Sequence, residues 1–311
     1  MAEPRKKLKR VLNLSEERTR RQLDAICHNY GATVHAKVRV ADVVDLDALE
    51  ILPAEYSFGL RAHFDFVVVD DDHRPLFAVE FDGPTHRSRK QRRRDASKNR
   101  LCRLAELPLI RINANHVVSR YRGMDLLSWF VHVWFLRQGF WDAQEAGIVP
   151  MDEIFDPAWT CPVGGRPGTF PLWLSLEPAA DIREFAAAGR CVDDAPGQWL
   201  GDDTRGNTIG VAWLLVDDER ALVAKSAIRA QLFPIFEDQL LEEILYFEIR
   251  DELRSFVEGR SQPCELPEIT RTIRKFVEAT GQFGSIRTGS MWVPWARCGY
   301  NPERGWYYDW T

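Results

Sequence analysis

The chain lacks the features that mark a secreted, membrane-spanning or zinc-binding protein. Its six cysteines are scattered without a CxxC pair, so their spacing predicts neither a zinc ribbon nor a disulfide framework. Residues 1–10 are charged and lack the apolar core of a secretory signal. The longest nearly apolar run, 126–136, is too short to span a bilayer and contains His132. These absences predict a soluble, cytoplasmic protein that makes no membrane contact.

The two halves of the chain differ in the sign of their charge. The formal net charge is only −5 over 311 residues. Residues 1–122 hold 24 Lys and Arg against 17 Asp and Glu, or +7, whereas residues 123–311 hold 17 against 29, or −12. A basic front half and an acidic back half favour a nucleic-acid module fused to a partner of different role. Chance unevenness between two solvated surfaces is the alternative.

The length and the 45% hydrophobic content suffice for two domains, each with its own core. The composition shifts along the chain predict four segments. These are a disordered basic tail at 1–12, an α/β domain at 13–122, a helical connector at 123–155, and an acidic, aromatic-rich α+β domain of unknown role at 156–311.

Hydrophobic periodicity in the first domain predicts the order helix, three strands, helix, strand. Ser15 is the predicted N-cap of the first helix, and Gly31 its end. The predicted strands lie at 33–44, 62–69, 76–82 and 109–112, with a loop at 45–60, a polar turn at 70–74 and the second helix at 88–106. In the rest of the chain we predict helices at 124–140, 234–258 and 266–280, a Pro/Gly-rich linker at 156–171, and a hairpin formed by 208–216 and 221–226.

Three carboxylates stand on neighbouring predicted strands. Glu80 and Asp82 share one face of their strand because successive side chains alternate. Asp65 reaches the same point if the preceding strand lies alongside. Converging carboxylates repel one another unless a cation lies between them, and hard oxygen ligands suit Mg²⁺ or Mn²⁺. The pattern therefore predicts a metal site, with Asp82 as one of its ligands.

The residues that follow add a histidine, a lysine and dense positive charge. His86 lies just beyond the strand end, where it could bind metal, position water or protonate a leaving group. Asp95 and Lys98 project from one face of the next helix, so that Lys98 could direct its ammonium at a scissile phosphate. A phosphate-contacting surface is predicted from six basic residues: Arg87, Arg89, Lys90, Arg92, Arg93 and Arg94. A solubilising helix face is the alternative for this run.

Taken in order, these residues resemble the PD-(D/E)XK nuclease superfamily, and most of all its bacterial branch around very-short-patch-repair-like endonucleases. The resemblance covers roughly residues 13–115 and rests on Asp65, Glu80-Phe81-Asp82-Gly83, His86, Asp95, Lys98 and Arg111. It implies a restriction-endonuclease-like αβββαβ core in which Asp65, Glu80 and the backbone carbonyl of Phe81 bind Mg²⁺. It also implies a DNA endonuclease that hydrolyses phosphodiester bonds with a metal-activated water, in bacterial defence or repair.

One position departs from the superfamily pattern, which expects lysine where this chain has Asp82. Either Asp82 becomes a third ligand or water-positioning group, or Lys98 supplies the missing charge from the helix. The departure leaves open a catalytically inactive fold that binds nucleic acid or docks a partner. It also leaves open purely structural readings, in which Asp65 pairs with Arg61 or Arg111, and Glu80 and Asp82 form a solvated strand face.

The second half of the chain resembles no family that we recognise. Its C-terminal aromatics favour a core or a protein interface, since few basic residues are interleaved with them. The acidic helix at 234–258 could dock a protein partner, form a homodimer, or cover the basic groove. His63, His116 and His132 are predicted to be structural.

Overall fold

The protein is a mixed α/β chain that divides into two compact units. The computed structural model describes residues 10–82, 89–121, 123–157, 173–280, 285–287, 297–301 and 305–309, with the main chain alone for 89, 90 and those beyond 280. One unit comprises residues 1–172 and 231–235, and the other 173–230 and 236–311. The predicted boundaries near 122 and 155 stay predictions. Among the helices described, none is both long enough and apolar enough to cross a membrane.

The first unit is built on a four-stranded sheet in which the strands follow one another in chain order. Its strands are β1 (Thr33–Arg39), β2 (His63–Val69), β3 (Pro75–Phe81) and β4 (Leu109–Ile112). Its helices are α1 (Leu14–Cys27), α2 (Pro53–Gly59), α3 (Arg89–Leu104) and α4 (Leu126–Glu145). The pairs β1–β2 and β2–β3 are antiparallel, and β4 lies parallel to β3 after the crossover through α3. This confirms the predicted succession of strands and long helices.

Three local predictions in this unit were wrong. The strand predicted at 33–44 ends at Arg39, and Val40–Asp42 forms a short 3-10 helix. The N-cap of α1 is Asn13 rather than Ser15, because the Asn13 side chain accepts the Glu16 N–H while the Glu16 carboxylate accepts the Asn13 N–H. This reciprocal pair satisfies two otherwise orphaned donors, which a serine two residues further on cannot do. The segment 45–60 is not a plain loop, since it contains α2, which begins with proline in its first turn.

Helices cover both faces of the central strands β2 and β3. On one face, Val67 and Ala78 share a buried cluster with Leu101 of α3. On the other, the Phe77 ring lies 5.0 Å from the Trp134 ring of α4. Double coverage explains why both strands are apolar almost throughout, and it confirms the prediction that they are buried. A polar side chain on such a strand must therefore find a partner within the protein.

The outer edge of β4 is satisfied by residues 231–235, which belong to this unit although they follow far later in the chain. The Leu109 N–H donates to the Leu232 carbonyl at 3.0 Å. The Gln231 side chain accepts the Arg111 N–H at 2.9 Å and donates to the Arg111 carbonyl at 3.3 Å. These contacts pair an otherwise open strand edge and fix the main chain of Arg111.

The second unit is a five-stranded antiparallel sheet with a helix packed on each face. The sheet order is β8-β7-β6-β5-β9. The elements are α5 (Leu176–Ala187), β5 (Gly197–Asp202), β6 (Thr208–Leu215), β7 (Arg220–Ile228), α6 (Glu237–Val257), β8 (Cys264–Glu265), α7 (Leu266–Ala279), β9 (Ser285–Arg287), β10 (Arg297–Asn301) and β11 (Gly305–Asp309). The predicted hairpin and the two predicted long helices are confirmed, and β10 pairs with β11.

Both long helices of the second unit use their apolar faces within it. Trp213 of β6 shares a buried cluster with Ile269 and Ile273 of α7. A Cβ added at Gly210 would lie 2.8 Å from Leu245 of α6, so the opposite face of β6 is in close contact with that helix. The predicted linker at 156–171 lies almost wholly outside the described residues, as do the side chains of the aromatic tail.

A pH-dependent stability is expected from Glu243 of α6. Burial raises the pKa of Glu243 to about 7, although the N–H of Ser175 donates to its carboxylate and opposes the shift. A folded pKa above the unfolded value of about 4.5 means that this stability is full below pH 4.5 and is lost as the pH rises through 7. The unfolding free energy of this unit should decrease between pH 4.5 and 7.5, and we expect that decrease to be smaller by roughly 2–3 kcal/mol in the Glu243→Gln variant. Urea denaturation across that range tests this, with exposed Glu184→Gln as the control; an unchanged slope in Glu243→Gln contradicts it.

Candidate active site

The three predicted acids meet at one end of the first unit's sheet, where β2 begins and β3 ends. Phe66 is paired with Val79 in the antiparallel register of these strands, which sets Asp65 beside Glu80. Glu80 is in turn paired with Arg111 of β4. Because alternate residues of a strand share a face, all of these side chains and Asp82 lie on the side of the sheet that α3 covers. The register thus sets Asp65 and Glu80 on adjacent strands, and their convergence on a common ligand stays a prediction.

Asp65 is held by one backbone donor and one ammonium. Its Oδ2 accepts the Phe81 N–H at 2.8 Å, and its Oδ1 accepts from Lys37 Nζ at 2.6 Å. The alternative pairing with Arg61 or Arg111 is wrong, because those guanidiniums contact other partners. The hydrogen bond to the main chain of β3 fixes the Asp65 carboxylate at the strand end.

Glu80 forms a buried ion pair with Lys98 of α3. The Lys98 Nζ lies 2.6 Å from Glu80 Oε1 and also donates to the His63 carbonyl at 2.7 Å. Glu80 is only 6% exposed, so a solvated strand face is wrong for this residue. Burial raises the pKa of Glu80; the positive charge of Lys98 opposes that rise, and the negative charge of Asp65 adds to it.

Arg111 contacts three further polar side chains of the site, those of Asp82, Asp95 and Asn99. Its Nη1 lies 3.2 Å from Asp82 Oδ1 and 3.4 Å from Asp95 Oδ1. Its Nε and Nη2 both donate to Asn99 Oδ1, at 3.2 and 2.9 Å. Arg111 is itself buried, and its main chain is fixed by Gln231. The arginine therefore ties the end of β3 to α3.

Lys37 of β1 is a site residue that the sequence analysis missed. Its Nζ bridges Asp65 and Glu16 of α1, the latter at 3.0 Å. Its φ is 57°, in the left-handed region that non-glycine residues seldom adopt. Such strained residues cluster at functional sites. The sequence offered no distinguishing signal, because Lys37 alternates with apolar residues in the same way as His35 and Arg39.

The structure brings together part of the predicted basic surface. Arg92, Arg93 and Arg94 are exposed on α3, whereas the side chains of Arg89 and Lys90 lie outside the described residues. His86 and Arg87 lie outside them altogether, so their predicted roles stay predictions. Of the other histidines, His132 lies 2.9 Å from the Tyr30 hydroxyl, and its pKa is lowered by burial.

The donor set at the end of the sheet is compatible with a hard divalent cation. Asp65 and Glu80 present carboxylate oxygens at adjacent strand ends, and an ammonium lies 2.6 Å from each of them. These two ammoniums, of Lys37 and Lys98, supply the positive charge that converging carboxylates require. Within the described residues, no group of three or more His, Cys, Asp or Glu side chains is arranged to hold a metal ion. A cation would thus have to displace at least one of the lysines.

The comparisons with known proteins give one match. Residues 8–124 match the family described as "Protein of unknown function (DUF2726)", a span that contains the four-stranded sheet and all the candidate site residues. No curated protein and no solved structure matches the chain significantly.

Proposed function

We propose that the protein is a Mg²⁺-dependent nuclease with a restriction-endonuclease-like core, acting on the phosphodiester bonds of DNA. The observation that carries the proposal is the meeting of Asp65, Glu80 and Lys98 at one end of the sheet. Two acids at adjacent strand ends beside a buried lysine are the groups that the PD-(D/E)XK resemblance leads one to expect. Exposed arginines at the start of α3 supply positive charge for a phosphate backbone.

The lysine of the motif is supplied from α3 in this proposal. Asp82 replaces the expected lysine and lies against Arg111, whereas the Lys98 ammonium reaches Glu80 from the helix. Held by the His63 carbonyl and by Glu80, this ammonium is fixed before substrate arrives. A preorganised charge stabilises a developing negative charge without a reorganisation cost at the moment of reaction.

The residues that would hold Mg²⁺ are Asp65, Glu80 and the Phe81 carbonyl, with Asp82 as a further candidate. When bound, the ion would polarise the scissile phosphoryl oxygen and acidify the attacking water. The Phe81 N–H orients the Asp65 carboxylate, and Lys37 and Lys98 balance the carboxylates in its absence. The Lys98 ammonium would lose its contact with Glu80 but keep the His63 carbonyl as its fixed partner, and would be available to the phosphate.

A second candidate function is nucleic-acid binding or partner docking without turnover. The observation that favours it is that Asp65, Glu80 and Asp82 each have a basic partner. Ion pairs alone can therefore stabilise these acids in the fold, without a metal. The two functions differ in whether cleavage accompanies binding.

Metal-dependent cleavage of supercoiled plasmid separates the two functions. We expect nicking or linearisation in Mg²⁺ or Mn²⁺, none in EDTA, and a loss of at least about a hundredfold in Asp65→Asn, because a carboxylate ligand is removed. Asp72→Asn, the same change at an exposed position beyond the far end of β2, is the matched control. DNA binding without cleavage in the wild-type protein would favour the second function, and equal activity in Asp65→Asn would contradict the site.

A further inference from the structure

A cavity of about 210 Å³ opens beside the ion-paired acids, between α2, the start of β2 and α3. Its walls carry one aromatic ring and several polar side chains. The lining residues are Phe58, Arg61, Ala62, His63, Gln91, Arg94, Asp95 and Lys98. Lys98 belongs to both the cavity and the candidate active site, so whatever occupies the cavity lies next to the carboxylates.

Contacts within the protein hold part of the cavity wall in place before any ligand binds. Arg100 of α3 pairs with Glu55 of α2 at 2.9 Å, which joins the two helices that form the walls. The Arg61 guanidinium donates to the Ser57 carbonyl at 3.0 Å and to the Ser57 hydroxyl at 3.1 Å. Phe58 packs partly against the buried core of the unit. Such preorganisation lowers the entropy cost of ligand binding.

The charge of the lining selects an anion. Arg61 and Arg94 contribute two positive charges against the single carboxylate of Asp95, while the Lys98 ammonium is already paired with Glu80. Guanidinium groups match the geometry of phosphate oxygens and hold them with charge-assisted hydrogen bonds. Phe58 adds an apolar wall of the kind against which a sugar or a base packs.

The size of the cavity restricts what the anion can be. A volume of about 210 Å³ falls below the range of roughly 300–1,000 Å³ that drug-sized ligands occupy. The space inside it therefore admits one phosphate with its sugar. A base-paired duplex does not fit inside it, although one backbone link of a strand does.

We propose that this cavity is a phosphate subsite that binds one sugar–phosphate link of the nucleic-acid strand next to the scissile bond, with Arg61 and Arg94 on the phosphate and Phe58 against the sugar. The subsite rests on the proposed function for its position relative to a scissile bond, but its ligand chemistry is independent of turnover. α2, which forms one wall, thereby acquires a role in holding the substrate strand.

Calorimetric titration in EDTA tests the subsite without any cleavage. The probes are the dinucleotide d(TpT), inorganic phosphate and thymidine, at low ionic strength. We expect d(TpT) to bind more tightly than phosphate, and thymidine to show no measurable binding. Arg61→Gln and Arg94→Gln should each weaken d(TpT) binding by roughly tenfold, since each removes a charge-assisted contact. Arg103→Gln, an exposed arginine of α3 outside the cavity, should leave it unchanged.

Three results would overturn the subsite. Equal weakening by Arg103→Gln would mean that general positive charge, rather than the cavity, attracts the probe. Thymidine binding as tightly as d(TpT) would mean that the phosphate is not recognised, and phosphate binding as tightly as d(TpT) would mean a free-anion site. Unaltered circular dichroism and melting of the variants exclude misfolding. If the cavity binds d(TpT) but the wild-type protein cleaves no plasmid, the proposed nuclease function is wrong and the proposed subsite is retained.

Discussion

Replacing Glu80 by glutamine should lower the rate of plasmid cleavage by about a thousandfold or more, which corresponds to roughly 4 kcal/mol of transition-state stabilisation. The change removes one of two carboxylates at the strand ends and leaves the size of the side chain almost unchanged. It also removes the ion-pair partner of Lys98, so both the ammonium and any bound cation lose the Glu80 carboxylate as a ligand. Single-turnover cleavage of a labelled plasmid in Mg²⁺ gives the measurement.

Three controls make this result interpretable. Melting of the variant, followed by circular dichroism, establishes the temperature below which the first unit is folded, and the assay is run there. Asp72→Asn at the exposed hairpin turn reports on the effect of losing a carboxylate elsewhere. DNA binding should persist in Glu80→Gln because the exposed arginines of α3 are intact. Residual cleavage within tenfold of wild type would show that Glu80 has only a structural role.

Replacing Lys98 by methionine should cost about 3–5 kcal/mol of unfolding free energy, because it leaves the buried Glu80 carboxylate without its ammonium. The cost should depend on pH. Without Lys98 the folded pKa of Glu80 rises further, so the carboxyl is neutral at low pH and the variant is least destabilised there. The lost stability then grows as the pH rises above the folded pKa that Glu80 has in the wild-type protein. Urea denaturation at several pH values measures it.

The double variant Glu80→Gln, Lys98→Met separates the charge from the packing. Since neither residue then carries a charge, we expect it to recover much of the stability that Lys98→Met loses, while remaining inactive. Arg103→Met on the exposed side of α3 should change the unfolding free energy by no more than about 0.5 kcal/mol. A Lys98→Met protein as stable as wild type at pH 7 would show that the ion pair contributes nothing to the fold.

The candidate site was partly readable from the sequence because strand alternation is strictly local. Glu80 and Asp82 share a face by their spacing. The polar turn that follows β2 reverses the chain, so that the end of β3 lies beside Asp65 at the start of β2. Lys98 was also recognised, since its helical spacing from Asp95 places both residues on one face of the helix. What the sequence left open was whether Asp82 or Lys98 supplies the motif's charge. In the fold, Lys98 contacts Glu80, and Asp82 contacts Arg111.

Lys37 and Gln231 were not recognised because no local pattern connects them to the site. Lys37 reaches Asp65 only through the pairing of β1 with β2 and an unusual left-handed backbone. Gln231 is 120 residues away from Arg111 in the chain, and its side chain meets the edge of β4 only in the folded unit. The short helix α2 was missed for a different reason: its proline, serine and glycine are typical of loops.

By itself, the sequence determined the order of strands and long helices in the first unit, the apolar character of β2 and β3, and the placement of Glu80 and Asp82 on one face at the end of β3. Those features depend on side-chain periodicity, which is a property of neighbouring residues. Only the tertiary structure decided the partners of those acids, the cavity beside Lys98, and the covering of β4 by residues 231–235. Burial forces each charged group to find a partner, and which partner lies within reach depends on how distant segments pack.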